Sequence, residues 1–295
     1  MAEPLPTYMH SPSKPKLRLP SNACDAHVHV FGPQRTFPFA ADRPFTPADA
    51  PKEALFALHA MLGIERCVIV QSSCHGFDNS AVADAITAKR GAYCGVALLP
   101  TTVDDAELRR LDARGFCGVR FNFMRHLGKA APIEDVITLT SRLSTLGWHL
   151  QIHCESSLIE ELAPWLKRSA VPVVIDHMGR VDAFLGLDQP AFKHLRNLMR
   201  DQKFWVKVSG VDRISRRPPP HEDAIPFARS LVAEFGDRTL WGTDWPHPNP
   251  AGGIPDDGLL VDLLAEIAPT ERERQALLVD NPQRLYGLPR QLAEQ

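Results

Sequence analysis

Along the chain, short runs that are almost continuously apolar alternate with stretches whose apolar residues recur at helical spacing. The short runs cover 24–30, 67–71, 93–98, 118–123, 148–153, 171–176, 204–209 and 239–242. Runs of this length and continuity are expected of parallel strands covered on both faces. The helical stretches cover 52–62, 80–89, 104–113, 133–146, 156–168, 190–200, 223–235, 257–267 and 270–278. In 52–62, for instance, Leu55, Leu58 and Leu62 share one face behind a proline. Eight strand-then-helix units predict an α/β fold, a single (β/α)8 barrel of the TIM type. An open doubly wound sheet would bring a glycine-rich phosphate turn after an early strand, and the chain has none.

Punctuation agrees with the periodicity. Asp104 followed by Glu107 reads as an N-cap with its capping-box partner. Gly63, Gly91, Gly115, Gly147 and Gly236 each follow a helical stretch, where a left-handed residue is favoured. Two strand-to-helix connections are long, 31–51 and 210–222, and both are rich in proline. They read as stiff lids over one end of the barrel, without secondary structure of their own. Residues 1–17 read as a flexible proline-rich arm, 18–287 as the barrel and 288–295 as a tail.

Composition works mainly by exclusion. The 295 residues fit one barrel, and 44% hydrophobic content supports a large core. Lys plus Arg is 33 against 35 Asp plus Glu, a net charge of −2, which argues against a nucleic-acid binder. No apolar run reaches the roughly 20 residues needed to span a bilayer. The six cysteines form no CxxC pair and sit mostly in apolar runs, so reduced thiols and a cytoplasmic location are expected. Nothing in the pattern fixes an oligomeric state. The count that stands out is 12 histidines.

In a barrel the C-terminal strand ends form the active-site mouth. Reading those ends in order gives Asp25, His27 and His29; Gln71, Ser72, Ser73 and His75; Arg120, Asn122, Arg125 and His126; His153 and Glu155. The later strands give Asp176, His177 and Arg180; Lys207, Ser209 and Arg213; and Asp244, His247 and Asn249. His27 and His29, two apart on one strand, face the same side. Side-by-side imidazoles inside a barrel need a metal, a carboxylate or a substrate to satisfy them; the plainer reading is a hydrogen-bonded core pair. With a histidine from strands 5 and 6 and Asp244 they form a set suited to a divalent cation. Asp244 beside imidazoles is also a good general base. Arg120, Arg125, Arg180 and Arg213 in the mouth point to a small anionic substrate, since guanidinium forks grip carboxylates. Ser73, His75, His153, His247 and Asn249 are the further candidates for binding it.

The segment 25–33, Asp-Ala-His-Val-His-Val-Phe-Gly-Pro, resembles the start of amidohydrolase-superfamily barrels. Gln71-Ser-Ser-Cys-His-Gly76, Arg120-Phe-Asn-Phe123, Ile175-Asp-His-Met-Gly-Arg180, Trp241-Gly-Thr-Asp-Trp-Pro-His-Pro-Asn249 and Ile254-Pro-Asp-Asp-Gly258 sharpen this. Together they resemble the 2-pyrone-4,6-dicarboxylate lactonase family, over about 25–286. The resemblance implies hydrolysis of a small polyanionic lactone in bacterial breakdown of lignin-derived aromatics, with no metal required. It implies that Asp244, His27, His29 and His177 carry the chemistry and that arginines such as Arg120 and Arg213 hold carboxylates.

Three positions depart from that family's pattern. Phe45 and His153 stand where tyrosines are expected, and His126 where an arginine is expected. His153 also completes a superfamily-like metal set with His27, His29 and Asp244. A Zn²⁺-dependent relative resembling the 4-sulfomuconolactone hydrolases is therefore a second expectation, and a decarboxylase of the same superfamily a third. A binding protein for an aromatic acid is the alternative outside enzymes.

Overall fold

The computed structural model describes residues 7–250 and 253–288. Eight parallel strands follow one another in chain order: β1 (Cys24–Val28), β2 (Arg66–Val70), β3 (Tyr93–Ala97), β4 (Phe116–Phe123), β5 (His149–Cys154), β6 (Val173–Ile175), β7 (Phe204–Lys207) and β8 (Thr239–Leu240). Past β8 the backbone bonds back to β1: Ala26 N–H donates to Trp241 C=O at 2.8 Å and Asp244 N–H to His27 C=O at 2.8 Å. These bonds bring the first and last strands together, giving the expected (β/α)8 barrel.

Strands β1 to β3 are each followed by a helix on the outside: α1 (Lys52–Leu62), α2 (Ser80–Ala88) and α3 (Asp105–Asp112). The next three are α4 (Ile133–Ser144), α5 (Ile159–Leu166) and α6 (Pro190–Met199). After β7 come a short α7 (Val211–Ile214) and α8 (Ile225–Phe235). After β8 come α9 (Asp257–Asp262), α10 (Leu264–Ile267), α11 (Glu271–Gln275) and α12 (Asn281–Tyr286). The outward strand residues, such as Val119, Ile152, Val173 and Val206, pack against the helices in the main core. A second apolar cluster fills the lower barrel interior with Val68, Val70, Val96, Val174, Trp205 and Leu240, and Tyr286 and Leu288 join it.

Several expected boundaries move. β6, β7 and β8 end earlier than the apolar runs do. The chain leaves the ladder there: His177, Gly210 and Asp244 all have positive φ, a conformation that breaks a strand. The long C-terminal stretches divide, and 270–278 continues through a π turn into α12. Loop 210–222 does contain structure, because Gly210 in the left-handed region starts α7 and accepts from Arg213 N–H at 2.9 Å. Asp104 caps α3, its carboxylate accepting from Glu107 N–H at 2.8 Å. Gly63, Gly91, Gly115 and Gly147 have positive φ, but Gly236 stays right-handed at φ −56°, with its carbonyl held by Asn281 Nδ2 at 2.8 Å.

Two irregularities set which residues face inward. One extra residue in β1, between Asp25 and Val28, shifts the pairing with β2. Cys24 and Ala26 therefore join the lower interior, while His29 faces the upper one and His27 lies just beneath it against Asp244. A similar shift at the start of β4 lets Cys117 face the lower interior and Arg120 the upper. Gly118 lies beside the second shift because a Cβ there would sit 2.3 Å from the His149 ring.

Of the expected N-terminal arm, the described part lies along the barrel. Asp256 accepts from Ser13 N–H at 3.0 Å, and Asp262 from the N–H groups of Lys16 and Leu17 at 2.7 and 2.9 Å. Residues 1–6 and 289–295 of the arm and tail lie outside the described residues. All six cysteines are free thiols, five buried and Cys117 half-buried. No helix among the described residues is long and apolar enough to cross a membrane.

Candidate active site

The C-terminal strand ends surround a cavity of about 270 Å³. Its lining includes His29, Ser73, Arg120, His153, His177, Arg180, Arg213, Asp244 and Asn249, all expected from the strand-end pattern. Phe45 from the first lid and His126 complete much of the rest. The loops holding these groups are strained. His177, Met178, Gly179 and Arg180 run consecutively at φ of 47–63°, and Asp244, His247 and Asn249 also have positive φ. Strain of this kind costs about 1–3 kcal/mol per residue and persists only where surrounding contacts impose it.

Asp244 is the focus. Its Oδ1 lies 3.6 Å from His27 Nε2, 3.3 Å from His29 Nε2 and 3.8 Å from His177 Nε2. That oxygen is buried without a hydrogen-bond partner. Its Oδ2 is gripped by Arg213, with Nε at 2.8 Å and Nη2 at 2.6 Å. Burial alone would raise the Asp244 carboxyl, but the Arg213 charge and the nearby imidazoles hold it well below the usual carboxylate range. Asp244 is therefore a charged oxygen aimed into a polar cavity.

The imidazoles are neutral. Burial pushes His177 and His153 well below their usual value, and His29 lower as well. Burial, then the Lys207 charge, pushes His27 down to about 4. His29 Nδ1 must donate to the Val70 carbonyl at 2.7 Å, so its Nε2 carries a lone pair toward the cavity. His153 Nδ1 donates to Asn122 Oδ1 at 3.2 Å, and Asn122 Nδ2 donates to Ser73 Oγ at 3.3 Å. Beneath them lies a polar floor of Lys207, Asp176 and Gln151. Gln151 Nε2 donates to Asp176 Oδ2 at 2.9 Å and Lys207 Nζ to Gln151 Oε1 at 2.8 Å.

This burial has a measurable consequence. His149, under the floor, is pushed down to about 3 by burial and the Lys207 charge, and His27 to about 4. In the unfolded chain both bind protons near pH 6.5, so it holds more protons than the native state below that pH. Stability is complete above about pH 6.5 and falls as the pH drops toward about 3, by on the order of several kcal/mol. Thermal melts between about pH 8 and 4 check this; a flat Tm would contradict it.

Not every expected residue reaches the cavity. His75 instead braces the first lid, accepting from Gly32 N–H at 3.1 Å and donating to the Pro38 carbonyl at 3.1 Å. His247 turns underneath and pairs with Asp257 Oδ1 at 3.1 Å, which raises its pKa despite burial. Arg125 is 87% exposed and pairs with Glu155 outside. Arg213 lines the cavity, yet its guanidinium is committed to Asp244 and the Pro248 carbonyl. The expected metal set also changes. The donors lying within 4.8 Å of one another are those of His27, His177 and Asp244; His29 and His153 fall outside that trio.

Comparison with known proteins gives the family of the chain. The amidohydrolase family model matches residues 24–288, almost the whole barrel. The chain belongs to the amidohydrolase family. This amidohydrolase is 46% identical over 285 residues to 2-pyrone-4,6-dicarboxylate hydrolase of Comamonas testosteroni, covering 94% of this chain and 93% of the relative. It is 40% identical over 275 residues to 4-sulfomuconolactone hydrolase of Hydrogenophaga intermedia, covering 91% and 90%. Among solved structures, a probable 2-pyrone-4,6-dicarboxylic acid hydrolase of Acinetobacter baumannii with citric acid bound superimposes with a TM-score of 0.81. It is 27% identical, and the match covers 90% of this chain and 99% of that one.

The donor chemistry of the amidohydrolase site fits a divalent cation. His27 Nε2 and Asp244 Oδ1 are buried and unpartnered, and neutral imidazole with carboxylate is a common zinc donor set. The floor residues Asp176 and Lys207 stand at strand ends in the sequence, whereas Gln151 does not. Its signal is the alternation of β5, which places it on the inward face between His149 and His153.

Proposed function

We propose that this amidohydrolase hydrolyses a small polyanionic lactone, with 2-pyrone-4,6-dicarboxylate the first-choice substrate and the open-chain 4-carboxy-2-hydroxymuconate the product. The observation that carries the reading is the convergence of Asp244 Oδ1 with the His27, His29 and His177 Nε2 atoms in a cavity lined by Arg120 and Arg180. Asp244 takes a proton from water as the water oxygen attacks the lactone carbonyl. His29, through its Nε2 lone pair, helps orient that water, and an imidazole N–H of the remaining pair stabilises the developing oxyanion. The acyl–oxygen bond of the ring then breaks and Asp244 passes its proton to the departing ring oxygen, leaving an enol and a new acid group that loses its proton to solvent as a carboxylate. Arg120 and Arg180 hold the substrate's carboxylates, with Ser73, His153 and Asn249 around them. Anchoring two charges supplies much of the rate by orientation. Arg213 serves mainly to hold Asp244.

No metal is needed for these steps. A second reading, a metal-dependent hydrolase of a sulfonated muconolactone, draws support from the His27, His177 and Asp244 donor trio and from the 40% identical relative. In that reading those three residues would hold the cation, which supplies Lewis acidity toward the carbonyl. The deciding experiment measures metal content and assays both lactones before and after chelation. Turnover of 2-pyrone-4,6-dicarboxylate that survives complete metal removal is the expected result. Loss on chelation with recovery on adding Zn²⁺ favours the second reading, and turnover of neither lactone overturns both.

A further inference from the structure

Lys207, at the end of β7, is completely buried directly beneath His27. A buried ammonium is costly unless its three protons find acceptors. Two acceptors bond it, Gln151 Oε1 at 2.8 Å and His27 Nδ1 at 3.1 Å, and the charge of Asp176 Oδ1 lies 3.4 Å away. His27 Nδ1 has two claimants, since Asp176 Oδ1 also lies 3.3 Å away. The contact with Lys207 is the shorter of the two and has hydrogen-bond geometry, while the Asp176 carboxylate competes for the same nitrogen from 3.3 Å. An ammonium can only donate, so in the Lys207 contact Nδ1 accepts and the ring proton sits on Nε2. That nitrogen points toward Asp244 Oδ1, 3.6 Å away, at the edge of the cavity that Asp244 lines.

We propose that Lys207 is a positioning residue that fixes His27 as the Nε2–H tautomer, so that His27 offers the reacting oxygen a donor and not a lone pair. His29 is fixed the other way, because its Nδ1 donates to the Val70 carbonyl. The two imidazoles of the β1 pair, with ring centroids 5.1 Å apart, thus present one donor and one acceptor. This is what hydrolysis requires of them: the attacking water needs acceptors, Asp244 Oδ1 and His29 Nε2, and the carbonyl oxygen needs a donor, His27 Nε2. That proton must move to Nδ1 before His27 Nε2 can ligate a metal, so Lys207 also weakens cation binding by the His27, His177 and Asp244 trio. The role in hydrolysis rests on the lactonase reading; the tautomer rests on these contacts alone.

The test is long-range ¹⁵N–¹H correlation of the ¹⁵N-histidine-labelled protein at neutral pH, with His27 assigned from the loss of its signals in His27→Gln. The expected wild-type result is His27 protonated at Nε2 and His29 at Nδ1. In Lys207→Met, His27 switches to Nδ1–H, donating to Asp176. Zn²⁺, titrated against a chromogenic chelator, binds at least about tenfold tighter than to wild type, where a purely packing role would weaken it. Turnover falls about 10- to 100-fold in kcat with KM within about threefold. Asp176→Asn retains the Nε2–H tautomer. A wild-type His27 protonated at Nδ1 overturns the proposal even if Lys207→Met fails to fold, as does a switch on Asp176→Asn or an unchanged tautomer in Lys207→Met. Failure of the lactonase reading would show separately, as absent turnover of either lactone by wild type.

Discussion

Asp244→Asn is expected to lower kcat by about 10²–10⁴-fold while an anionic ligand still binds. The side chain keeps its shape, and Arg213 can still bond one amide oxygen. The charge that would take the proton from water is gone, and an amide is no base. Moreover, His29 Nε2 carries a lone pair only 3.3 Å from Oδ1. An amide NH2 turned that way would be captured by His29, and the acceptor pair that orients water would close on itself. Affinity for a dicarboxylate should hold or improve, because the substitution removes a negative charge from an arginine-lined cavity. Calorimetric titration of the variant with the substrate, alongside a turnover assay, reads both effects. Turnover within about tenfold of wild type would remove Asp244 as the base. A wild type that binds such acids but turns none over would instead support the binding-protein alternative.

What the sequence reveals here follows from what a parallel barrel imposes. Strands buried on both faces must read as apolar runs, so the eight strands are visible in the pattern, and the polar residue that ends each run must stand at the mouth. Asp244, His177, His153, Arg120 and Arg180 are found this way, because strand-end position fixes height along the barrel axis. It does not fix direction. His75 and His247 stand at the right height, yet one turns back to the lid and the other beneath the Asp244 loop toward Asp257. Arg125 fails similarly, carried outward past the end of β4 to Glu155. Pairing is also hidden. An arginine in a mouth suggests a substrate carboxylate, but Arg213 meets the carboxylate of Asp244 first. The trio that could hold a cation includes His177 and omits His29 and His153 for a related reason: ring nitrogens are distributed by hydrogen bonds to Val70 and Asn122 that no spacing rule contains. Lys207 is named by its strand end, but its importance appears only when its partners are seen.

That arginine–aspartate pair sets the other large effect. Arg213→Met is expected to destabilise the fold by about 3–5 kcal/mol, the usual consequence of leaving a buried charge unpaired. Asp244 is 2% exposed, and among the described residues Arg213 is the one guanidinium or ammonium in direct contact with it, Arg120 and Arg180 acting on it only from farther across the cavity. Activity should change in a characteristic direction. Arg213 is the strongest influence holding the Asp244 carboxyl down; without it, burial pushes that pKa up. The base must be ionised to act, so the acid limb of kcat moves to higher pH and turnover at neutrality falls. KM for the anionic lactone should change less than kcat, since Arg120 and Arg180 remain. The double variant Arg213→Met/Asp244→Asn should regain part of the lost stability, because the Asp244 charge is then absent while Asp212, 3.4 Å from Arg213 Nε, still lacks its partner. Chemical denaturation of wild type, both single variants and the double variant completes that cycle. If Arg213 gripped the substrate and not Asp244, the single variant would raise KM and leave both stability and the acid limb in place, and the cycle would show no coupling.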